Sequence, residues 1–428
     1  MDPASQSHQK SKWILIGLFV LSCLGTLVFY WLVVPTSLDH TLAGLMLSYL
    51  VLWSIIFLWS DASSFEMAKR FFLATGSILL TVGFLELLVV AHIVDFRMVL
   101  GTPIFEPWRN PANLNDPKLL HIHKPYDRWV WEGIEYRYDQ YGFRNETDLK
   151  MADLIVVGDS FVEGWGVSAA DLLTTQLSRH FDRPVANLGQ SWYGPQQELE
   201  LLRQYGLKLA PKVCVWVFFE GNDLWDFHRY KVATQDWQTF SKDFHSFRQR
   251  SFTKNAVVAF GRLLNPMKNP NVSRMEHPDK GQSGIFTSPS GEETRLTFYQ
   301  KGHHLSEKDR IALEEIRLIF GQAHKLCHAA GAKFLLVFAP TKFRVYRDFM
   351  EFDTHALLRD WVINDLPQKI EAMVYEDLPD VEFLDLTTVF IKQVKQGSLL
   401  YFDDDTHWSA EGHRVAASAI AKFLGQWE

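Results

Sequence analysis

Leu154-Ile155-Val156-Val157-Gly158-Asp159-Ser160-Phe161 is the stretch that decides the reading of this chain. A short unbroken apolar run suits a strand buried on both faces, because a strand with one wet face would alternate. Gly158 ends the run, and Asp-Ser is turn and helix-cap chemistry. In a parallel α/β sheet, ligands bind at the carboxyl ends of the strands. A serine at that point projects its hydroxyl into the crevice. A helix starting there lends positive potential to a developing oxyanion. Alone the motif is short and ordinary.

Similar apolar runs occur at Val213 to Phe219, Lys333 to Phe338 and Val381 to Leu384. Helical patterns separate or follow them at Leu172 to His180, Pro195 to Tyr205, Ser306 to Ala330 and Ala410 to Leu424. Ser306 with Asp309 gives the third of these a capping-box start. Strands alternating with helices predict a parallel sheet covered on both faces. The lead-in from Pro103 to Lys150 is aromatic and irregular, with a short strand at Glu135 to Tyr138. Tyr230 to Gln300 breaks the rhythm and reads as a long insertion on the catalytic face, either a lid or binding element or a loose surface excursion.

The 428 residues allow one large domain or two ordinary ones. A net charge of −7 and the lack of a basic stripe with interleaved aromatics exclude nucleic acid as an expected partner. The 3 cysteines are scattered, which is not a disulfide framework. Apolar runs at 13–34, 42–59 and 71–94 approach or exceed the ~20 residues that cross a bilayer. Lys10 and Lys12 precede the first run, Lys69 and Arg70 the third, and the first connection has no basic residue. The positive-inside rule then places the N-terminus in the cytoplasm and everything beyond Val94 across the membrane. The expected organisation is a three-helix anchor at 1–97 in an inner membrane and an extracytoplasmic, periplasmic domain at 98–428. Glu86 falls inside the third apolar run, where a carboxyl group either meets a partner or stays protonated near the interface.

A serine nucleophile needs a base, and the base needs an orienting carboxylate. Asp403-Asp404-Asp405-Thr406-His407-Trp408 supplies both just before the C-terminal helix. Asn187-Leu188-Gly189 and Gly221-Asn222-Asp223 add a glycine N–H and an asparagine amide, both suitable oxyanion donors. Trp165, Trp192, Trp225 and Trp408 lie near these blocks and suit either sugar stacking or the core. No metal site or cofactor is expected. His324, Cys327 and His328 share a helical spacing but lack an evident fourth ligand.

In this order the four blocks resemble those of SGNH/GDSL hydrolases. The likeness runs from about Tyr138 to Trp427 and implies a three-layer α/β/α sandwich with a five-stranded parallel sheet, flavodoxin-like in arrangement. By that likeness Ser160 is the nucleophile and His407 the general base. The Ser160 N–H, the Gly189 N–H and the Asn222 side chain form the oxyanion hole. Tyr141-Gly142-Phe143-Arg144, Pro340-Thr341-Lys342 and His407 to His413 are similar to the hydrolase-like domains of alginate O-acetylation proteins. Glu220 stands where the third block usually has glycine, and Trp408 where proline usually follows the histidine. The usual family spacing selects Asp404 as the orienting acid and the alginate-type spacing selects Asp405, with Asp404 slightly preferred. The resemblance implies a serine esterase or O-acyltransferase acting on an acylated polysaccharide or glycan. The lipid bilayer, and through the spans a membrane acyl-donor protein, are further expected partners. The alternative is a non-catalytic, membrane-tethered glycan-binding or assembly subunit.

Overall fold

The computed structural model describes residues 49, 51, 53, 64–100, 113–235, 247–264, 282–352, 356–378 and 380–425. They fall into two compact units. One comprises Met1–Ile104 with Ser241–Val272, the other Phe105–Phe240 with Ser273–Glu428.

In the second unit, five strands form one parallel sheet. They are β1 (Leu154–Gly158), β2 (Val185–Gly189), β3 (Val213–Phe219), β4 (Lys333–Ala339) and β5 (Glu382–Asp385), in the spatial order β5-β4-β3-β1-β2. Alternate side chains divide the core into two layers, as strand geometry requires. Ile155, Val157, Trp216, Phe218, Leu336 and Phe338 face Leu202, Ile316, Phe320 and Ile370 of the helices Pro195–Gln204, Glu307–Ala329 and Leu366–Asp377. Val156, Val215, Val217, Leu335 and Val337 face Leu173, Leu177, Phe390 and Ile420 of the helices Leu173–Phe181, Thr387–Val394 and Ala410–Leu424. This is the expected three-layer sandwich. At ~1.5–3 kcal/mol for each large apolar side chain fully buried, the two layers dominate the stability of the unit.

The predicted elements map closely. The helix opened by Ser306 runs Glu307–Ala329, and the capping box with Asp309 is present. The strand in the lead-in is Ile134–Arg137, paired antiparallel with Arg128–Trp131. The stretch from Tyr230 to Gln300 is not a single irregular excursion. The helix Asp223–Gln235 extends into it, residues 241–272 group with the first unit, and Ser283–Thr287 pairs with Glu293–Thr297 as an ordered hairpin. Gly291, at φ +86°, makes the turn of that hairpin, and Met350–Glu351 adds a third strand. Its polar composition concealed strands that have only one buried face.

In the first unit the helix Ser64–Val90 contains the apolar segment Lys69–Val90, of mean hydropathy 2.1. Among the described residues it is the one helix long and apolar enough to cross a membrane. The other two expected spans lie outside the described residues, apart from Tyr49, Val51 and Trp53. A 13-residue helix, Phe252–Leu264, also belongs to this unit.

Candidate active site

The nucleophile turn is built by its own sequence. Asp159 caps the short helix Ser160–Glu163, its side chain accepting from the Phe161 N–H at 2.9 Å. Gly164, at φ +83°, ends the helix in the left-handed region that favours glycine. Ser160 therefore stands at the carboxyl end of β1, at the head of that helix.

His407 Nε2 lies 2.8 Å from Ser160 Oγ, and His407 Nδ1 lies 2.5 Å from Asp405 Oδ1. Asp405 accepts from Nδ1–H, so Nε2 is left as the acceptor for the serine hydroxyl. Asp405 Oδ1 also accepts the His407 backbone N–H at 2.7 Å, a tight turn that brings a carboxylate two residues upstream under the ring. The preference for Asp404 is thereby corrected: Asp404 is exposed, and Asp405 meets the imidazole. Burial opposes charge on His407, but the adjacent Asp405 carboxylate outweighs it and holds the imidazole pKa above its ordinary value. Burial likewise opposes charge on Asp405, yet His407 keeps its pKa down at about 2.

The predicted oxyanion donors divide. The Ser160 N–H has no acceptor among the described residues. Asn222 reaches the nucleophile turn, its amide donating to Asp226 Oδ2 at 2.8 Å and lying beside the Asp159 carboxyl. The Gly189 N–H is already taken, donating to Asn187 Oδ1 at 2.9 Å, so in this structure it is not a free donor. Gly189 is needed for another reason. A Cβ there would lie 2.1 Å from the Glu163 backbone nitrogen and 2.5 Å from the Val162 carbonyl carbon. The glycine lets β2 approach the nucleophile helix. Gly189→Ala should push that helix outward, at a cost near the top of the ~1–3 kcal/mol range for overpacking. A urea midpoint unchanged from wild type would refute this.

Three supporting groups were not singled out as site residues in the sequence. Glu163 is buried and accepts from Tyr138 Oη at 2.6 Å and from the Ser191 N–H at 2.6 Å, with His123 Nε2 at 3.2 Å. It joins the nucleophile helix to the loop after β2. Burial opposes its charge, but His123 and these donors bring its pKa down to about 2. Lys342 is buried and donates to the carbonyls of Thr297 (2.9 Å), Phe402 (2.6 Å) and Asp403 (2.8 Å). An ammonium has three donors, so the end of the hairpin and the turn carrying Asp405 and His407 share one fixed point. Arg144 donates to the Val167 carbonyl at 2.6 Å and to the Gly164 carbonyl, fixing the segment after the nucleophile helix. The signal for Lys342 and Arg144 was their place in family-like strings, and for Glu163 a lone carboxylate one helical turn after the serine.

Glu220, the departure from the third block, accepts from the Thr341 N–H at 2.8 Å and Arg344 Nε at 2.8 Å, tying the end of β3 to the Thr341-Lys342 loop. Trp408 is core, edge-on to Phe161 at 5.1 Å. Trp165 stands 6.3 Å from the His407 ring and tilts against Trp131 at 5.0 Å. Trp192 and Trp225 are 37% and 56% exposed, with Arg229 over both rings.

Asp159, Glu198, Asp223 and Asp226 are four buried carboxyls in this half of the unit. Burial is the first cause that lifts each: Asp159 to about 6, Asp226 to about 7, Glu198 and Asp223 well above the carboxylate range. Mutual repulsion adds to it for the last three. The folded chain thus holds protons that the unfolded chain has released, so stability falls as pH rises from about 4 to about 7. The urea midpoint should be lower at about pH 8 than at about pH 5.5, and Glu198→Gln should narrow the gap. An equal gap in the variant would remove Glu198 from this account.

Residues 297–427 match the family model described as ALGX, the SGNH hydrolase-like domain of acetyltransferase AlgX. The matched region includes Lys342, Asp405 and His407; Ser160 lies upstream of it. No curated protein sequence matches the chain. Among solved structures, a lipolytic protein of the G-D-S-L family from Desulfitobacterium hafniense aligns at 12% identity and TM-score 0.33, over 63% of this chain and 98% of that one. A GDSL-like lipase from Bacteroides thetaiotaomicron aligns at 12% identity and TM-score 0.31, over 64% and 88%. An acetyl xylan esterase from Butyrivibrio proteoclasticus aligns at 11% identity and TM-score 0.30, over 64% and 63%. Residues 297–427 are thus similar to the SGNH hydrolase-like domain of acetyltransferase AlgX, the kind of domain that the four sequence blocks resemble.

Proposed function

We propose that the protein is a membrane-anchored serine acyl enzyme that hydrolyses or transfers an O-acetyl ester of an extracytoplasmic polysaccharide. The observation that carries the reading is His407, bonded at one nitrogen to Ser160 and at the other to Asp405. His407 Nε2 takes the Ser160 proton as Oγ attacks the acyl carbonyl. The carbonyl π pair moves onto oxygen, with the Ser160 N–H, which has no acceptor among the described residues, as one donor and the Asn222 amide, once released from Asp226, as the second. Collapse expels the alkoxide, which leaves with the proton from His407, and Ser160 holds the acyl group as an ester. His407 then deprotonates the incoming hydroxyl, water for an esterase or a sugar hydroxyl for a transferase, as its oxygen bonds to the acyl carbon; the ester bond to Ser160 breaks and Oγ takes the proton back from His407. The apolar helix Lys69–Val90 supports the anchor, and the match to the domain of acetyltransferase AlgX supports the acetyl group; the glycan rests on the likeness of the sequence strings to alginate O-acetylation proteins.

The test is full-length protein in detergent, incubated with O-acetylated polysaccharide and, separately, with an acetyl donor and de-acetylated polysaccharide. Ser160-dependent release of acetate supports an esterase, and Ser160-dependent uptake a transferase. No change in acetyl content in either assay, with p-nitrophenyl acetate also untouched, would sink the enzyme reading in favour of a non-catalytic glycan-binding subunit.

A further inference from the structure

Glu86 belongs to the apolar helix Ser64–Val90, about one helical turn, or roughly 6 Å, short of its end. Its carboxylate is fully engaged. Oε1 accepts from Ser251 Oγ at 2.7 Å and from the Thr253 N–H at 2.8 Å, and Oε2 accepts from the Phe252 N–H at 3.1 Å. All three donors come from the start of the helix Phe252–Leu264. Phe252 also packs edge-on against Phe96 at 5.0 Å, and Arg250 reaches His92 at 2.9 Å. Hydrogen bonds of this length fix depth: wherever the bilayer places Glu86, it places the start of the second helix.

The surface of the first helix suits lipid. Phe72, Leu73, Leu79, Leu80, Phe84 and Leu87 are each at least 60% exposed. The second helix, FTKNAVVAFGRLL, has 13 residues and is about 20 Å long, too short to cross a bilayer. Its sequence sets Phe252, Ala256, Ala259 and Phe260 at helical spacing, and Arg248, Arg250 and Lys254 cluster at its start. An apolar stripe with cations at one end fits the headgroup boundary, where such helices sit ~5–10 Å deep.

We propose that Phe252–Leu264 is an interfacial helix, seated by Glu86 in the bilayer surface where the span emerges, and that its partner is lipid with phosphate headgroups. Part of the stretch between β3 and β4 is then a second membrane attachment and not a lid. The proposal rests on Lys69–Val90 being a span, and the test separates the two. The full chain is placed in nanodiscs of phosphatidylcholine and phosphatidylglycerol containing doxyl-labelled lipid. An environment-sensitive fluorophore is attached, one site at a time, through Phe84→Cys, Ala256→Cys, Phe260→Cys or Ile311→Cys. Quenching is expected at 84, 256 and 260 and not at 311, on the exposed face of another helix. Glu86→Leu should reduce quenching at 256 and 260 several-fold and leave 84 unchanged. Glu86→Gln, which keeps an acceptor oxygen, should reduce it less. Quenching at 84 without quenching at 256 and 260 overturns the proposal and leaves the span standing. Absence at all three removes the span and the proposal together. Quenching at 256 and 260 that survives Glu86→Leu overturns the seating role of Glu86.

Discussion

Ser160→Ala is expected to lower turnover of an activated acetyl ester by about 10⁴- to 10⁶-fold, the range known when a serine nucleophile is removed from a triad. The loss is large because, among the described residues, Ser160 is the hydroxyl bonded to His407 Nε2. The head of the Ser160–Glu163 helix holds one serine, and Cys214 and Cys327 are buried in the core. His407→Ala should cost a similar factor, and the double variant little more, since nucleophile and base act as a unit. Burst kinetics with p-nitrophenyl acetate give the check. A full-amplitude burst in Ser160→Ala would place the covalent step elsewhere. Folding should be unaffected, because Ser160 Oγ bonds to His407 and to no backbone group.

The second large effect separates two neighbouring aspartates. Asp405→Asn should reduce kcat by about 10⁴-fold, because an amide at that position no longer enforces the tautomer that leaves Nε2 free. Asp404→Asn should leave kcat within about 2-fold, as expected for an exposed side chain away from the ring. The pH profile supplies an independent readout. A histidine base works only when neutral, and the Asp405 carboxylate, outweighing burial, holds the His407 pKa above its ordinary value. Activity should therefore rise with pH through a midpoint above that value and be low below it. In Asp405→Asn the midpoint should move down while the plateau falls. Equal losses in the two variants would return the choice between Asp404 and Asp405 to open ground.

The sheet was legible because its strands are buried on both faces and so read as unbroken apolar runs, with β1, β3 and β4 located to within a residue. Ser160, His407 and Asn222 were legible because each follows a strand end or precedes a helix start, where turn chemistry is conspicuous. The choice of aspartate was not legible. Asp404 and Asp405 are adjacent and identical in type, and what separates them is a backbone N–H closing a two-residue turn. The part played by Gly189 was not legible: it read as an oxyanion donor, and the crowding against Glu163 that requires a glycine there lies between segments distant in sequence. Lys342 acts through carbonyl oxygens, which carry no side-chain signature. The hairpin Ser283–Thr297 was hidden by a polar composition that tracks solvent exposure more than backbone order.

The division of the chain has a practical consequence. The polypeptide passes between the two units three times, near residues 104, 240 and 272, because 241–272 returns to the first unit before β4 is made. Severing the chain once, after the apolar helix, does not release the second unit by itself. Such a fragment would still carry a greasy, cationic stretch torn from its seat, ready to bind detergent, vesicles or other copies of itself. Freeing the second unit from the first calls for two excisions, one of 1–104 and one of 241–272.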